Sequence, residues 1–189
     1  MPRRKIAIFA SGSGSNAEQI ARYFAERGTA SIDMIFSNNP NAYVLERAEK
    51  LGIPTLVFDR KLFQEGNYIA SLLELRGIDL VVLAGFLWLV PARLTEQFKF
   101  VNIHPALLPE YGGKNMYGMN VHRAVIANKS KVSGITIHEV NHLYDEGRII
   151  FQARCEVSPE DTPESLAEKI HELEHRYYPE IIEQLVLAM

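Results

Sequence analysis

Short apolar runs alternate with amphipathic stretches through the first half of the chain, and this alternation limits what it can fold into. Ile6-Ala7-Ile8-Phe9-Ala10, Ser31 to Ser37, Thr55-Leu56-Val57-Phe58 and Leu80-Val81-Val82-Leu83 read as strands. They are continuous, rich in β-branched and aromatic residues, and bounded by turn formers. Helices are predicted between them over Asn16–Arg27, Asn41–Leu51 and Leu62–Arg76. The first has Ile20, Tyr23 and Phe24 at helical spacing and Gly28 as its stop, and Gly52 follows the second. Consecutive βα units with short connections imply a parallel sheet with helices on its faces and right-handed crossovers. The fold class is therefore α/β, Rossmann-like, with a mostly parallel central sheet flanked by helices.

The second half has a different pattern. Phe100–Ile103 is a short strand leading into Pro105 and Pro109, Gly112–Gly118 reads as a loop, and His122–Asn128 as a helix. Gly134–Val140 and Arg148–Val157 form a β-rich C-terminal part, separated by the polar segment Asn141–Gly147. A long last helix starts at Thr162-Pro163-Glu164, with an N-cap residue followed by proline at the first helical position. It runs toward Met189 and is expected to kink near Pro179. Repeats and low-complexity tracts are not evident, and the 189 residues suit one domain.

Composition narrows the function classes. The chain is 47% hydrophobic and 23% charged, which fits a globular protein. Its net charge of −3 offers no basic excess to nucleic acid or an anionic membrane. Cys155 is the single cysteine, so an intrachain disulfide or multi-cysteine zinc site is excluded. The apolar run behind Arg3-Arg4-Lys5 is too short for a signal peptide, and no window reaches transmembrane length. A soluble, cytoplasmic protein is expected.

Ligands of open α/β sheets bind outside the carboxyl ends of the strands, here after Ala10, Ser37, Leu83 and Ile103. Gly12-Ser13-Gly14-Ser15-Asn16-Ala17 fits G-x-G-x-x-G/A between a strand and a helix. Glycines let the backbone approach a phosphate, and free N–H groups at a helix start hold it. The same residues could simply form a tight turn. A nicotinamide dinucleotide would want a carboxylate after the second strand, where Phe36-Ser37-Asn38-Asn39 supplies none. A terminal phosphate suits Gly12, Gly14, Ser15 and Asn16 better. Asn102-Ile103-His104-Pro105 follows the fifth strand, and period two puts Asn102 and His104 on one side. An amide and an imidazole side by side can polarise a carbonyl and bear its developing charge. Such an imidazole wants a carboxylate, and Asp145 is the best candidate. His171-Glu172-Leu173-Glu174-His175 fits H-E-x-x-H, but no third ligand follows, so solvated helix charges explain it better than zinc.

With these pieces in place, the sequence resembles the folate-dependent phosphoribosylglycinamide formyltransferases of purine biosynthesis. The resemblance rests on Ser11–Asn16, Phe36-Ser37-Asn38, Leu83-Ala84-Gly85-Phe86, Asn102–Pro109, Ser133–His138 and Asp145–Ile150, in family order. It implies formyl transfer from 10-formyltetrahydrofolate, as co-substrate, to the amine of 5-phosphoribosylglycinamide, without a metal. It further implies Asn102, His104 and Asp145 as the catalytic trio, with Asn102 and a protonated His104 stabilising a tetrahedral oxyanion. Gly14, Ser15 and Asn16 would bind the ribose phosphate, and Glu174 the glycinamide end. Leu87, Trp88, Leu89 and Val90, with Asn102 and the loop from Val140 and Asn141 to Asp145, would enclose the folate. The phosphate-binding half would span about 1–99, and the folate-binding and catalytic half about 80–189. The implied partners are these small molecules, not nucleic acid or membrane; the oligomeric state, a homodimer included, is left open. Methionyl-tRNA formyltransferases share the Asn-x-His-Pro segment, but they would need a nucleic-acid-binding domain and positive charge. A non-catalytic phosphate-binding module, which would bind phosphate ligands without formyl transfer, and an NAD oxidoreductase are the remaining alternatives.

Overall fold

The computed structural model describes residues 3–65 and 67–189. Seven strands form one sheet in the order β3-β2-β1-β4-β5-β6-β7. β1 (Arg4–Phe9), β2 (Ala30–Ser37), β3 (Thr55–Val57), β4 (Leu80–Leu83) and β5 (Phe100–His104) pair in parallel. β6 (Val132–Glu139) and β7 (Ile149–Glu156) add antiparallel at the β5 edge. The parallel strands with short connections, the β-rich C-terminal part and the long last helix agree with the fold read from the sequence.

Strand alternation divides the core between the two sheet faces. Ile6, Ile8, Leu80 and Val82 join α1 (Ser15–Arg27), α6 (Met119–Ala127) and α7 (Pro163–Leu187) in one buried cluster. Ala7, Phe9, Val81 and Leu83 pack on the other face with Phe63, Ile69 and Leu94. These come from α3 (Arg60–Glu65), α4 (Asn67–Arg76) and α5 (Ala92–Gln97). Phe9 stacks on Phe36 at 4.5 Å, with Phe58, Phe63, Phe86 and Phe100 around it. Burying such rings contributes about 2–3 kcal/mol each, which makes this aromatic group a principal anchor of the second face.

The helix ends follow their sequence signals. Gly28 adopts φ 68° and its N–H donates to the Phe24 carbonyl at 2.9 Å, closing α1. Thr162 and Ser165 form a reciprocal capping box at the start of α7, with Pro163 in its first turn. The helix runs unbroken across Pro179. From the same helix, the fully buried Tyr178 hydroxyl donates to the Leu83 carbonyl at 2.8 Å, with that of Val101 at 3.2 Å.

Several boundaries differ from the sequence reading. α2 is Val44–Lys50, not Asn41–Leu51, because Pro40 and an Asx turn, in which Asn39 Oδ1 accepts the Asn41 N–H at 3.0 Å, delay the helix. The helix expected over Leu62–Arg76 is described as α3 and α4, and position 66 between them lies outside the described residues. α6 begins at Met119, ahead of the expected His122, and α5 was not anticipated.

Candidate active site

A cavity of about 540 Å³ opens at the carboxyl ends of β1, β4 and β5. The glycine loop Gly12–Asn16, the segment after β4, and Asn102 to Pro105 line it from the sheet side. Gly113 to Gly118, Val140 and Leu143 to Asp145, and His171 and Glu174 of α7 complete it. Of the four strand ends singled out by sequence, those of β1, β4 and β5 meet here. The end of β2 is instead closed into a turn, with the Asn39 N–H donating to Ser37 Oγ at 3.2 Å.

The glycine loop is shaped by its neighbour α2. Gly14 caps α1 at φ 75°, and a Cβ on it would stand 2.4 Å from Val44 Cγ2. Glycine is required there by backbone angle and by space together. The Val44 N–H donates to the Gly12 carbonyl at 3.1 Å, and Arg47 Nε donates to that of Ser13 at 2.9 Å. Arg47 is also paired with Glu18, so its charge is committed to holding the loop. The N–H groups of Ser15, Asn16 and Ala17 have no carbonyl one turn earlier in α1, which is the arrangement that receives an anion. Asn16 Nδ2 donates to Glu174 Oε2 at 2.9 Å, joining the loop to α7. Burial raises the Glu174 pKa, while the Asn16 hydrogen bond opposes the rise.

The predicted trio converges. His104 ends β5, 3% exposed, and its Nε2 lies 2.8 Å from the Tyr111 carbonyl oxygen. A carbonyl only accepts, so Nε2 carries a proton and Nδ1 faces Asp145 Oδ2 at 3.5 Å. Burial lowers the His104 pKa, against the opposing pull of Asp145 and the Tyr111 carbonyl. For Asp145, burial acts upward, but His138, His104 and the Gly113 N–H at 3.0 Å outweigh it and hold the carboxyl below its usual range. Tyr111 and Asp145, the two groups flanking the imidazole, both have positive φ, 55° and 57°. Non-glycine residues are strained in this region, and such strain clusters where geometry is functional.

His138 is a fourth member that sequence reasoning did not assign. The antiparallel register puts it opposite Asn102, and its Nε2 lies 3.1 Å from Asn102 Nδ2 and 3.5 Å from Asp145 Oδ1. Its Nδ1 is 2.8 Å from the Glu139 carbonyl, which fixes the proton there in the neutral ring. In that ring Nε2 accepts from Asn102, leaving the second Asn102 amide proton for a ligand; in the charged ring Nε2 donates to Asp145 instead. Only the register could have revealed this neighbour.

One wall of the cavity is apolar. Leu87, Trp88, Leu89, Val90 and Val140 line the cavity. Trp88 packs on Phe58, Phe63 and Phe86, with the Arg60 guanidinium 5.0 Å above its ring. Leu87 is tied by its N–H to Ser11 Oγ at 3.0 Å. Asn141 does not line the cavity; its Oδ1 accepts the Leu143 N–H at 2.9 Å and shapes the loop. His171 and His175 stack face to face with centroids 6.1 Å apart. Among the described residues, no group of three or more histidine, cysteine or acidic side chains is arranged to hold a metal ion.

A cavity lined by an anion-receiving helix start, an amide–imidazole–carboxylate cluster and an apolar wall defines a group-transfer enzyme site. Comparison with known proteins agrees. The sequence model of the formyl transferase family matches residues 4–182. A Bacillus subtilis phosphoribosylglycinamide formyltransferase is 38% identical over 97% of this chain and 95% of its own. The chloroplastic Arabidopsis thaliana enzyme of that name is 39% identical over 95% of this chain, which spans 64% of its length. The crystal structure of the Streptococcus pneumoniae phosphoribosylglycinamide formyltransferase superposes with a TM-score of 0.84 at 38% identity, covering 96% of this chain and 98% of that one. The chain belongs to the formyl transferase family of enzymes, in its phosphoribosylglycinamide formyltransferase branch.

Proposed function

We propose that this enzyme transfers the formyl group of 10-formyltetrahydrofolate to the amine of 5-phosphoribosylglycinamide, a step of purine biosynthesis carried out in the cytoplasm. The observation that carries this reading is the meeting of Asn102, His104 and Asp145 in the cavity that also holds the phosphate loop. The ribose phosphate sits on the start of α1, at Gly12, Gly14, Ser15 and Asn16. Glu174 takes the glycinamide end. The flat pterin lies against Leu87 to Val90 and Val140, where apolar contact and backbone groups suit it.

The residues divide the chemistry among them. As the amine attacks the formyl carbon, charge develops on the formyl oxygen, and the free Asn102 Nδ2 proton donates to it. His104 adds positive charge on taking up a proton, and Asp145 offsets the cost of that charge in a buried place. Asp145 also orients the water that carries a proton from the amine to N10 of the folate, so that the C–N10 bond breaks and tetrahydrofolate leaves. The side chains act without a covalent enzyme intermediate.

The test is the absorbance change on deformylation of 10-formyltetrahydrofolate with the purified protein. Consumption that depends on 5-phosphoribosylglycinamide is expected. Folate consumption without the ribonucleotide, or binding of the ribonucleotide without transfer, would overturn the assignment.

A further inference from the structure

His122 on α6 is 4% exposed and borders the cavity. Its Nδ1 is sealed from solvent and has no hydrogen-bond partner among the described residues. Nε2 makes no hydrogen bond to the described residues either, but it is not sealed. Burial first, and then the like charges of His171 and His104, push the His122 pKa down to about 4. The ring is therefore neutral through the physiological range and carries one N–H. A proton on Nδ1 would be a buried donor with no acceptor, which is the costlier of the two orphans. The proton belongs on Nε2.

His104 marks the transfer centre, and His171 stands beside Glu174, its Nε2 3.9 Å from Oε2. His122 lines the same cavity as both. The part of the ribonucleotide that spans this interval is the glycinamide arm. Its amide carbonyl is a neutral acceptor that a neutral, fixed donor complements without adding charge near the attacking amine. We infer that His122 Nε2–H is the donor to the glycinamide carbonyl and so positions the amine for attack. This inference rests on the reaction proposed above.

Steady-state kinetics of His122→Phe and His122→Gln test it. The phenylalanine keeps the ring volume without a donor, and the glutamine amide can reach the Nε2 position. His122→Phe is expected to raise KM for the ribonucleotide about ten-fold while KM for the folate stays within about two-fold, and His122→Gln to recover most of the loss. An unchanged ribonucleotide KM, an equal rise in both constants, or no recovery with glutamine would overturn the assignment. Histidine ¹⁵N chemical shifts of the wild-type protein provide a second test that needs no variant. Unprotonated Nδ1 and protonated Nε2 are expected from about pH 5.5 to 8, with an Nε2 shift on adding the ribonucleotide. The opposite tautomer, an imidazolium in that range, or no shift would overturn the donor even where formyl transfer proceeds. The expected tautomer and shift without formyl transfer would instead overturn the proposed reaction.

Discussion

Asp145 Oδ2 lies 3.5 Å from His104 Nδ1, on the opposite side of the imidazole from the Tyr111 carbonyl. The carboxylate's charge raises the His104 pKa against burial. Asp145→Asn keeps the shape and removes that charge. It is expected to lower kcat by about 10²–10⁴-fold with little change in KM for the ribonucleotide. The limb of the pH–kcat profile that belongs to His104 moves to lower pH, because the influence holding its pKa up is gone. A limb that stays in place would count against the pairing.

Asn16 couples the glycine loop to Glu174 through its 2.9 Å hydrogen bond. Asn16→Ala removes a ligand donor and this tie together, so KM for the ribonucleotide should rise about ten-fold or more. The Glu174 carboxyl loses the contact that lowers its pKa and titrates at still higher pH. Initial rates at several ribonucleotide concentrations and pH values measure both effects; an unaltered KM refutes the phosphate assignment.

Gly14→Ala meets two obstacles, the φ of 75° and a Cβ 2.4 Å from Val44 Cγ2. A loss of about 2–4 kcal/mol is expected in urea unfolding. Adding Val44→Ala relieves the clash but not the backbone angle, so recovery should be partial. Full recovery would show that space alone requires the glycine.

Glu183 accepts hydrogen bonds from Arg27 Nε at 2.8 Å, Tyr23 Oη at 2.6 Å and Thr29 Oγ1 at 2.7 Å. Arg27 first, then Tyr23 and Thr29, overcome burial and hold the carboxyl at about 2, below its ordinary 4.5. A depressed carboxyl pKa stabilises the fold above the ordinary value, and the contribution fades as pH falls from about 4.5 toward 2. Glu183→Gln should cost about 1–2 kcal/mol at neutral pH, a modest figure because water screens the half-exposed Arg27. Its unfolding midpoint should vary less than wild type across that acid range. Identical slopes in the two proteins would remove Glu183 as the source.

The βα order was legible because each buried parallel strand must be apolar on both faces, as Leu80–Leu83 is. Asn102 and His104 were legible for a related reason: strand period and Pro105 place both at one strand end. The short α5 lacked an extended helical pattern, and only Pro91 before it hinted at a start. His138 was hidden because an antiparallel partner's register is set by packing, and no local signal in Ser133–His138 states that it faces Asn102. The family resemblance puts Asn141 beside the folate, and the structure adds that its side chain closes a turn by accepting the Leu143 N–H, a detail that local hydrogen bonding decides.

Tyr178 follows Glu174 by one helical turn, and its hydroxyl is bolted to the carbonyls of Leu83, at the end of β4, and Val101, within β5. Sliding α7 by a single residue would swing Glu174 through about 100° and carry it off the chamber. The phenol thus works as a gauge pin, setting the interval between substrate anchor and reaction centre. Loop replacements around the rim could then retune what is admitted without disturbing that spacing.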